Sequence, residues 1–355
     1  MFPSLERKLP DHIKGPEVPP ALREKCTRAD GFGANNAMDR RAFIRTVGAM
    51  GAVSLLGIVP LRGTGSAEQR SPRQSDSNRP AAGDLVCRGP FDVAFDSSGN
   101  LLVSDPPSYG ILRLNTSLVP VASFGKAGAQ PGYLNFPKGI TVGKDDRIYV
   151  VDSNNCRVQV FDRNGSVLRI IGSVGSLAGS FATPQGIALD QEGRLLVADT
   201  RNHRIQIFED DKLISVIGEL GDGKDQFRLP TACAVRSDGD ITVLDSKHGL
   251  VKVFDKEHGF RTEFGGVGSK PGLLNMPQGM ALDAKDHVWI ADTGNNRIQE
   301  FDADGKLASV VGKQGSGPLE FVGPTGIACR EGRIYVADNG NRRIQILTRT
   351  NGKAG

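Results

Sequence analysis

Pro184-Gln-Gly-Ile-Ala-Leu-Asp190, Arg194-Leu-Leu-Val-Ala-Asp199, Arg204-Ile-Gln-Ile-Phe208 and Leu213-Ile-Ser-Val-Ile-Gly218 follow one another in a single stretch. Each run is short and rich in Ile, Val and Leu, and Asp-, Asn- and Gly-containing turns separate them. That pattern predicts a four-stranded antiparallel meander. In the third run Ile205 and Ile207 share one face while Gln206 and Phe208 share the other, and Val158/Val160 and Ile344/Ile346 repeat the alternation. Because a strand alternates its side chains with period 2, both faces of the meander carry apolar groups. One such sheet cannot satisfy itself and needs a neighbour on each side.

The same unit recurs along the chain. Pro90, Pro137, Pro184, Pro230, Pro277 and Pro324 open six copies at spacings of 47, 47, 46, 47 and 47 residues. A closed ring covers both faces of every copy, whereas an open solenoid leaves two terminal faces wet. The expected fold is therefore all-β: a six-bladed β-propeller of four-stranded antiparallel blades over residues 84–347. Glycine at 45 and aromatics at 6% agree with many turns and a core of aliphatic side chains. Pairs such as Gly172/Gly175 and Gly218/Gly221 recur at one place in the repeat and are expected to be hinges between blades. Copy six stops soon after its third strand, and residues 348–355 are expected to be a disordered tail. Leu85-Val86-Cys87 is a candidate for the missing outer strand that would latch the ring.

Four copies share Asp-x-x-Asn-x-Arg-[Ile/Val]-Gln in register: Asp152/Asn155/Arg157, Asp199/Asn202/Arg204, Asp292/Asn295/Arg297 and Asp338/Asn341/Arg343. This motif resembles the NHL repeat, and the resemblance covers residues 84–347. Copies one and four depart from it, with Asp105-Pro-Pro-Ser-Tyr-Gly110 and Asp245-Ser-Lys-His-Gly-Leu250. An Asp ends the second strand in all six copies. A feature shared by every blade is expected to be structural, with the carboxylate capping the turn that follows it and the Arg reaching the adjacent blade.

Functional positions should instead differ between copies. The residues after the opening prolines, Phe91, Lys138, Gln185, Thr231, Gln278 and Thr325, would rim a central channel and form a ligand-contact ring. Tyr109, Arg201, His203 and His248, on the loop face of the propeller, are the expected partner contacts, since binding favours loops on a rigid scaffold. Two enzyme families with similar architecture set a test. The amidating lyases place metal-binding His after blade-opening prolines, where this chain has none. The lactonase-like propellers use a first-blade Glu, whereas copy one opens Pro90-Phe91-Asp92. His203 and His248 fall in loops between second and third strands, and His258 and His287 are expected on the opposite face. No cofactor or metal ligand set is expected, and a channel cation is left open.

The first 67 residues hold 10 Lys and Arg against 6 Asp and Glu, and the remainder holds 34 of each. A phosphate-backbone binder needs surplus cations, so nucleic acid is disfavoured as a partner. Arg40 and Arg41 precede Ala42-Phe43-Ile44-Arg45, an uncharged run from Thr46 to Leu61, and Gly65-Ser66-Ala67. This order resembles a twin-arginine export signal over residues 38–67, shorter in its apolar run than a spanning helix. Residues 1–37 then read as a disordered or over-extended N-terminus and 68–83 as a flexible linker. The expected destination is the periplasm or the exterior. Folded export weakens any disulfide inference from Cys87, Cys156, Cys233 and Cys329, and no Cys-x-x-Cys spacing suggests a metal.

Taken together, these features predict an exported, monomeric binding scaffold for a protein, peptide or glycan. The alternatives are a metal-dependent lyase or hydrolase of the amidating-lyase or lactonase-like type, and an accessory subunit of an exported redox complex.

Overall fold

The computed structural model describes residues 87–350 and the backbone of residues 353–354. The segments assigned above to the N-terminus, the export signal with Arg40 and Arg41, and the linker lie outside the described residues. Six four-stranded antiparallel sheets are present, each a simple meander. Blade 3 is built from Ile187–Leu189, Leu195–Asp199, Arg204–Glu209 and Lys212–Ile217. Its register pairs Leu195 with Phe208 and Asp199 with Arg204, so alternation carries through the sheet. A bulge falls between Ile207 and Phe208, and blades 2, 4 and 5 repeat it at Val160/Phe161, Val253/Phe254 and Glu300/Phe301. Such bulges bend a strand and sharpen its twist, here just before the outer strand.

The core is divided among six blade-to-blade seams. Phe208, Leu195 and Val197 of blade 3 pack with Val151, Val158 and Val160 of blade 2. Ile205, Ile207 and Leu196, on the opposite face, pack with Val243 and Phe254 of blade 4. The two-faced pattern of the third strand thus fills two different seams. Burying one such side chain fully contributes roughly 1.5–3 kcal/mol, so every blade depends on both neighbours.

Ring closure uses the same chemistry. Val93, Leu101 and Val103 of blade 1 pack with Ala337 of blade 6, and Phe95 stacks edge-on to Tyr335 at 4.8 Å. Thr325 donates to the Pro90 carbonyl at 3.2 Å and Arg330 to the Asp96 carbonyl at 3.2 Å. Leu85 and Val86, proposed as part of a latch, lie outside the described residues, and Cys87 is in no strand. Cys87 is instead a buried plug in the closing seam. The third strand of blade 6 runs on to Thr350, and the backbone of Lys353–Ala354 pairs with Arg349–Thr350. A short outer strand therefore stands where residues 348–355 were expected to be a disordered tail.

Candidate binding site at the channel mouth

Each meander reverses twice toward one end of the ring, once in the turn between second and third strands and once in the loop that enters the next blade. The repeat motif ties these two segments together. In blade 3, Asp199 Oδ1 accepts from the Ala182 N–H at 2.7 Å, and Oδ2 accepts from Asn202, Arg204 and Gln206 at 2.8, 2.8 and 3.0 Å. The same donors reach onward to the entering loop: Asn202 to Gly175 O, Arg204 to Leu177 O and Ser180 O, and Gln206 to Ser180 O. Burial pushes the Asp199 carboxyl up, and Arg204 opposes it.

The other three complete clamps are wired alike. Asp152 Oδ2 accepts from Asn155, Arg157 and Gln159 at 2.8, 2.7 and 2.9 Å. Asp292 Oδ2 accepts from Asn295, Arg297 and Gln299 at 2.8, 2.7 and 3.0 Å. Asp338 Oδ2 accepts from Asn341, Arg343 and Gln345 at 2.8, 2.8 and 3.0 Å.

Three expectations need correction here. The carboxylate does not cap its own turn, since the 3₁₀ turns after Asp152, Asp199, Asp292 and Asp338 make no side-chain cap bond. The N–H it captures belongs to the loop before its blade. Nor do Arg157, Arg204, Arg297 and Arg343 reach a strand of the adjacent blade. They donate to the entering loop, at Tyr133 O, Ser180 O, Leu273 O and Glu320 O. Asn155, Asn202, Asn295 and Asn341, for which the sequence suggests no partner, hold the start of the same loop at Gly128 O, Gly175 O, Gly268 O and Gly315 O. Reading the Gly172/Gly175 type of loop as a hinge also fails. Gly172 has φ +77°, and a side chain there would collide with the fully buried Phe181 ring. The loop is clamped down, with an aromatic or Leu plug beneath it.

Blades 1 and 4 differ. In blade 4, His248 takes the Asn position and bridges Asp245 at 2.7 Å and Asp222 at 2.9 Å. Lys252, 1% exposed, takes the Gln position and donates to Gly223 O and Gln226 O at 2.7 and 2.6 Å. In blade 1, Asp105 accepts from Arg88 N and Ser108, while its Oδ1 has no hydrogen-bond partner among the described residues. Tyr109, in left-handed conformation at φ 54°, leaves its ring exposed beside this turn. His203 is occupied: its Nδ1 accepts from Leu229 N at 3.1 Å, and burial with Arg228 nearby lowers its pKa. His203 and His248 are thus built into the scaffold, whereas Tyr109 presents a surface.

The inner strands form the channel wall, where the chain has little room. A side chain at Gly139 would collide with the Gln185 carbonyl of the next blade. Glycine also holds the corresponding place at Gly186, Gly279 and Gly326, but blade 1 has Asp92 there. Asp92 bridges blades, its Oδ2 accepting from Ile140 N at 3.2 Å and its Oδ1 from Val93 N at 2.9 Å. The carboxylate is surrounded by protein, and burial pushes its pKa up to about 7 against those two bonds. Sequence reasoning passed over Asp92. Its signal was a lone acid in a column of four glycines and Ala232.

The six residues after the opening prolines do not behave alike. Thr231 and Thr325 are buried, and each hydroxyl donates to the next blade's proline carbonyl, Pro277 or Pro90, at 3.2 Å. They join blades and are removed from the contact ring proposed from sequence. Lys138 lies with its ammonium 5.1 Å from the Phe91 ring centre and 5.7 Å from that of Phe136. Burial, then repulsion from Arg201, lowers its pKa to about 8. Gln185 Oε1 is buried there with no hydrogen-bond partner among the described residues. Phe91, Phe136, Lys138, Gln185 and Arg201 therefore make an aromatic-lined, cationic mouth. The Gln278 N–H donates to Ala291 O of its own blade at 3.2 Å.

Two open grooves, of about 260 and 500 Å³, lie at the other end of the ring between blades 3 and 4 and blades 2 and 3. Their walls combine exposed turn residues such as Lys144 and Glu192 with apolar strand residues such as Leu196 and Leu195. His258 and His287 also lie at that end, bonded to Ser215 and Glu300. The four described cysteines are free thiols.

The NHL repeat model matches residues 134–161, 181–208, 274–301 and 321–347, each running from a loop plug to the end of a third strand. Four of the six blades are NHL repeats. Those four are the ones that carry the complete Asp-Asn-Arg-Gln clamp. The chain is 38% identical over 78 residues to RING finger protein nhl-1 of Caenorhabditis elegans, covering 22% of this chain and 8% of that protein. It is 33% identical over 92 residues to NHL repeat-containing protein 3 of Mus musculus, covering 25% and 26% of the two. The aligned NHL segments thus span about a quarter or less of these relatives. Among solved structures, virginiamycin B lyase from Staphylococcus aureus aligns at TM-score 0.54 and 16% identity, over 76% of this chain and 83% of that one. A gluconolactonase from Xanthomonas campestris aligns at TM-score 0.57 and 14% identity, over 73% and 86%. These likenesses are likenesses of fold.

Proposed function

We propose that this propeller is an interaction module whose channel mouth takes an acidic group of a protein or peptide partner. The observation that carries the proposal is Lys138: a half-buried ammonium set between Phe91 and Phe136, close enough to Arg201 for the two cations to repel each other. An incoming carboxylate relieves that repulsion and forms charge-assisted bonds with the two cations. Exposed Phe136, Val174, Leu220, Val267 and Met276 lie in the loops of the same face. They would add apolar contact around the charged centre, an arrangement typical of binding hot spots. In this reading the partner is met in the periplasm or outside the cell, the destination that the Arg40-Arg41 segment would specify.

Panning a random peptide library on the propeller and on Lys138→Gln tests this. Acidic peptides flanked by apolar residues should be enriched on the first and lose at least tenfold in affinity on the second. Binding should also weaken as pH rises through about 8, where Lys138 gives up its proton. Enrichment that ignores Lys138, or that favours basic peptides, contradicts the proposal. A second reading, catalysis in the channel, draws on Asp92, whose pKa near 7 suits a general acid or base.

A further inference from the structure

Blade 5 carries a cluster that the repeat does not require. Glu300 occupies the third-strand position held by Val160, Ile207, Val253 and Ile346 in blades 2, 3, 4 and 6, and it is 1% exposed. Burying a carboxylate where an aliphatic side chain serves elsewhere is costly unless something compensates it. Blade 1 shows one way to compensate: there the same two positions hold Asp96 and Arg113, 3.5 Å apart, with Asn100 donating to Asp96. Blade 5 keeps the acid, as Asp283, replaces the Arg by Glu300, and replaces the Asn by His287. Two carboxylates and an imidazole meet where blade 1 has an ion pair.

We propose that Asp283, His287 and Glu300 form a binding site for a divalent transition-metal ion of the zinc class, at the end of the ring opposite the channel mouth. One donor atom from each lies within 4.8 Å of the others. His287 Nδ1 stands 2.9 Å from Glu300 Oε1 and 3.7 Å from Asp283 Oδ2. Two ligands at tetrahedral zinc, each ~2.1 Å from the metal, are separated by ~3.4 Å, so these spacings bracket the required value. The outer partners are in place as well, and such partners orient metal ligands. Ser309 donates to Glu300 Oε2 at 2.8 Å, Trp289 Nε1 to Asp283 Oδ2 at 3.4 Å, and the Lys285 and His287 N–H groups to Asp283 Oδ1. The side chains of His287 and Asp283 are 21% and 16% exposed, which leaves a path for the ion and room for a water as fourth ligand. An imidazole with two carboxylates favours zinc over calcium or magnesium, which prefer oxygen alone.

The test uses the purified full chain, stripped with EDTA and titrated with Zn²⁺ alone. One equivalent should bind, with Co²⁺ giving the visible spectrum of a four-coordinate site. Glu300→Val restores the residue of blades 2 and 4, and His287→Asn restores that of blade 1, so both variants keep a side chain the fold already uses. Each should weaken Zn²⁺ binding at least tenfold while leaving the circular dichroism of the propeller unchanged. Substoichiometric zinc, or equal affinity in the wild type and both variants, overturns the assignment and leaves a His–Glu pair that serves packing alone.

Discussion

Asp199 in blade 3 gathers Asn202, Arg204 and Gln206, whereas Asp245 in blade 4 faces His248, Leu250 and Lys252 at those three positions. The cation has moved two residues along the strand. Because strands alternate with period 2, that move keeps it on the same face and within reach of the same loop carbonyls. Blade 1 goes further: Gly110 and Leu112 supply no cation at all, and one oxygen of the buried Asp105 has no partner among the described residues. What persists through all six blades is the acid that captures a loop N–H seventeen or sixteen residues upstream. The cation that fastens the loop can be relocated or dropped.

The largest effect should come from a regular blade. Asp199→Ala leaves Arg204 buried without its carboxylate, and breaking a buried pair by one partner costs about 3–5 kcal/mol; urea unfolding would read it. Lys252→Met removes the donor to Gly223 O and Gln226 O, and leaving such groups unsatisfied costs about 1–3 kcal/mol. If the relocated cation explains blade 4, pairing Lys252→Gln with Leu250→Arg should recover most of that loss.

A smaller effect separates blade 1 through pH. Asp92 has a folded pKa of about 7 against an ordinary value of 3.8, so the folded state holds the proton more tightly. Stability contributed by that proton is complete below about 4 and lost as pH rises to about 7. Asp92→Gly, which restores the residue of four other blades, should remove pH-dependent stability on the order of 4 kcal/mol between pH 4 and 7.5. An unchanged slope would place the pH dependence elsewhere.

The blades were legible in the sequence because Ile205/Ile207 and Gln206/Phe208 report strand faces directly, and the opening prolines fix the period. The wiring of the clamp was not. Asp199 takes its backbone partner from Ala182, across a loop whose path no periodicity reveals. Closure was equally hidden, since the Thr325 to Pro90 bond joins residues 235 positions apart through a side chain. Position after proline singled out all six residues alike and could not show that Thr231 and Thr325 turn their hydroxyls onto neighbouring carbonyls. Asp92 and Glu300 are exceptions in aligned columns that the sequence alone did not single out, and their burial gives those exceptions physical meaning.

The comparison of blades is tested most directly by measuring Asp105→Ala beside Asp199→Ala in the same urea series. The blade 1 variant should lose only about 1 kcal/mol, because it forfeits bonds to Arg88 N and Ser108 but strands no cation, while the blade 3 variant loses several-fold more. Equal losses at the two positions would contradict the view that the buried cation, and not the shared acid alone, carries the strength of the regular blades.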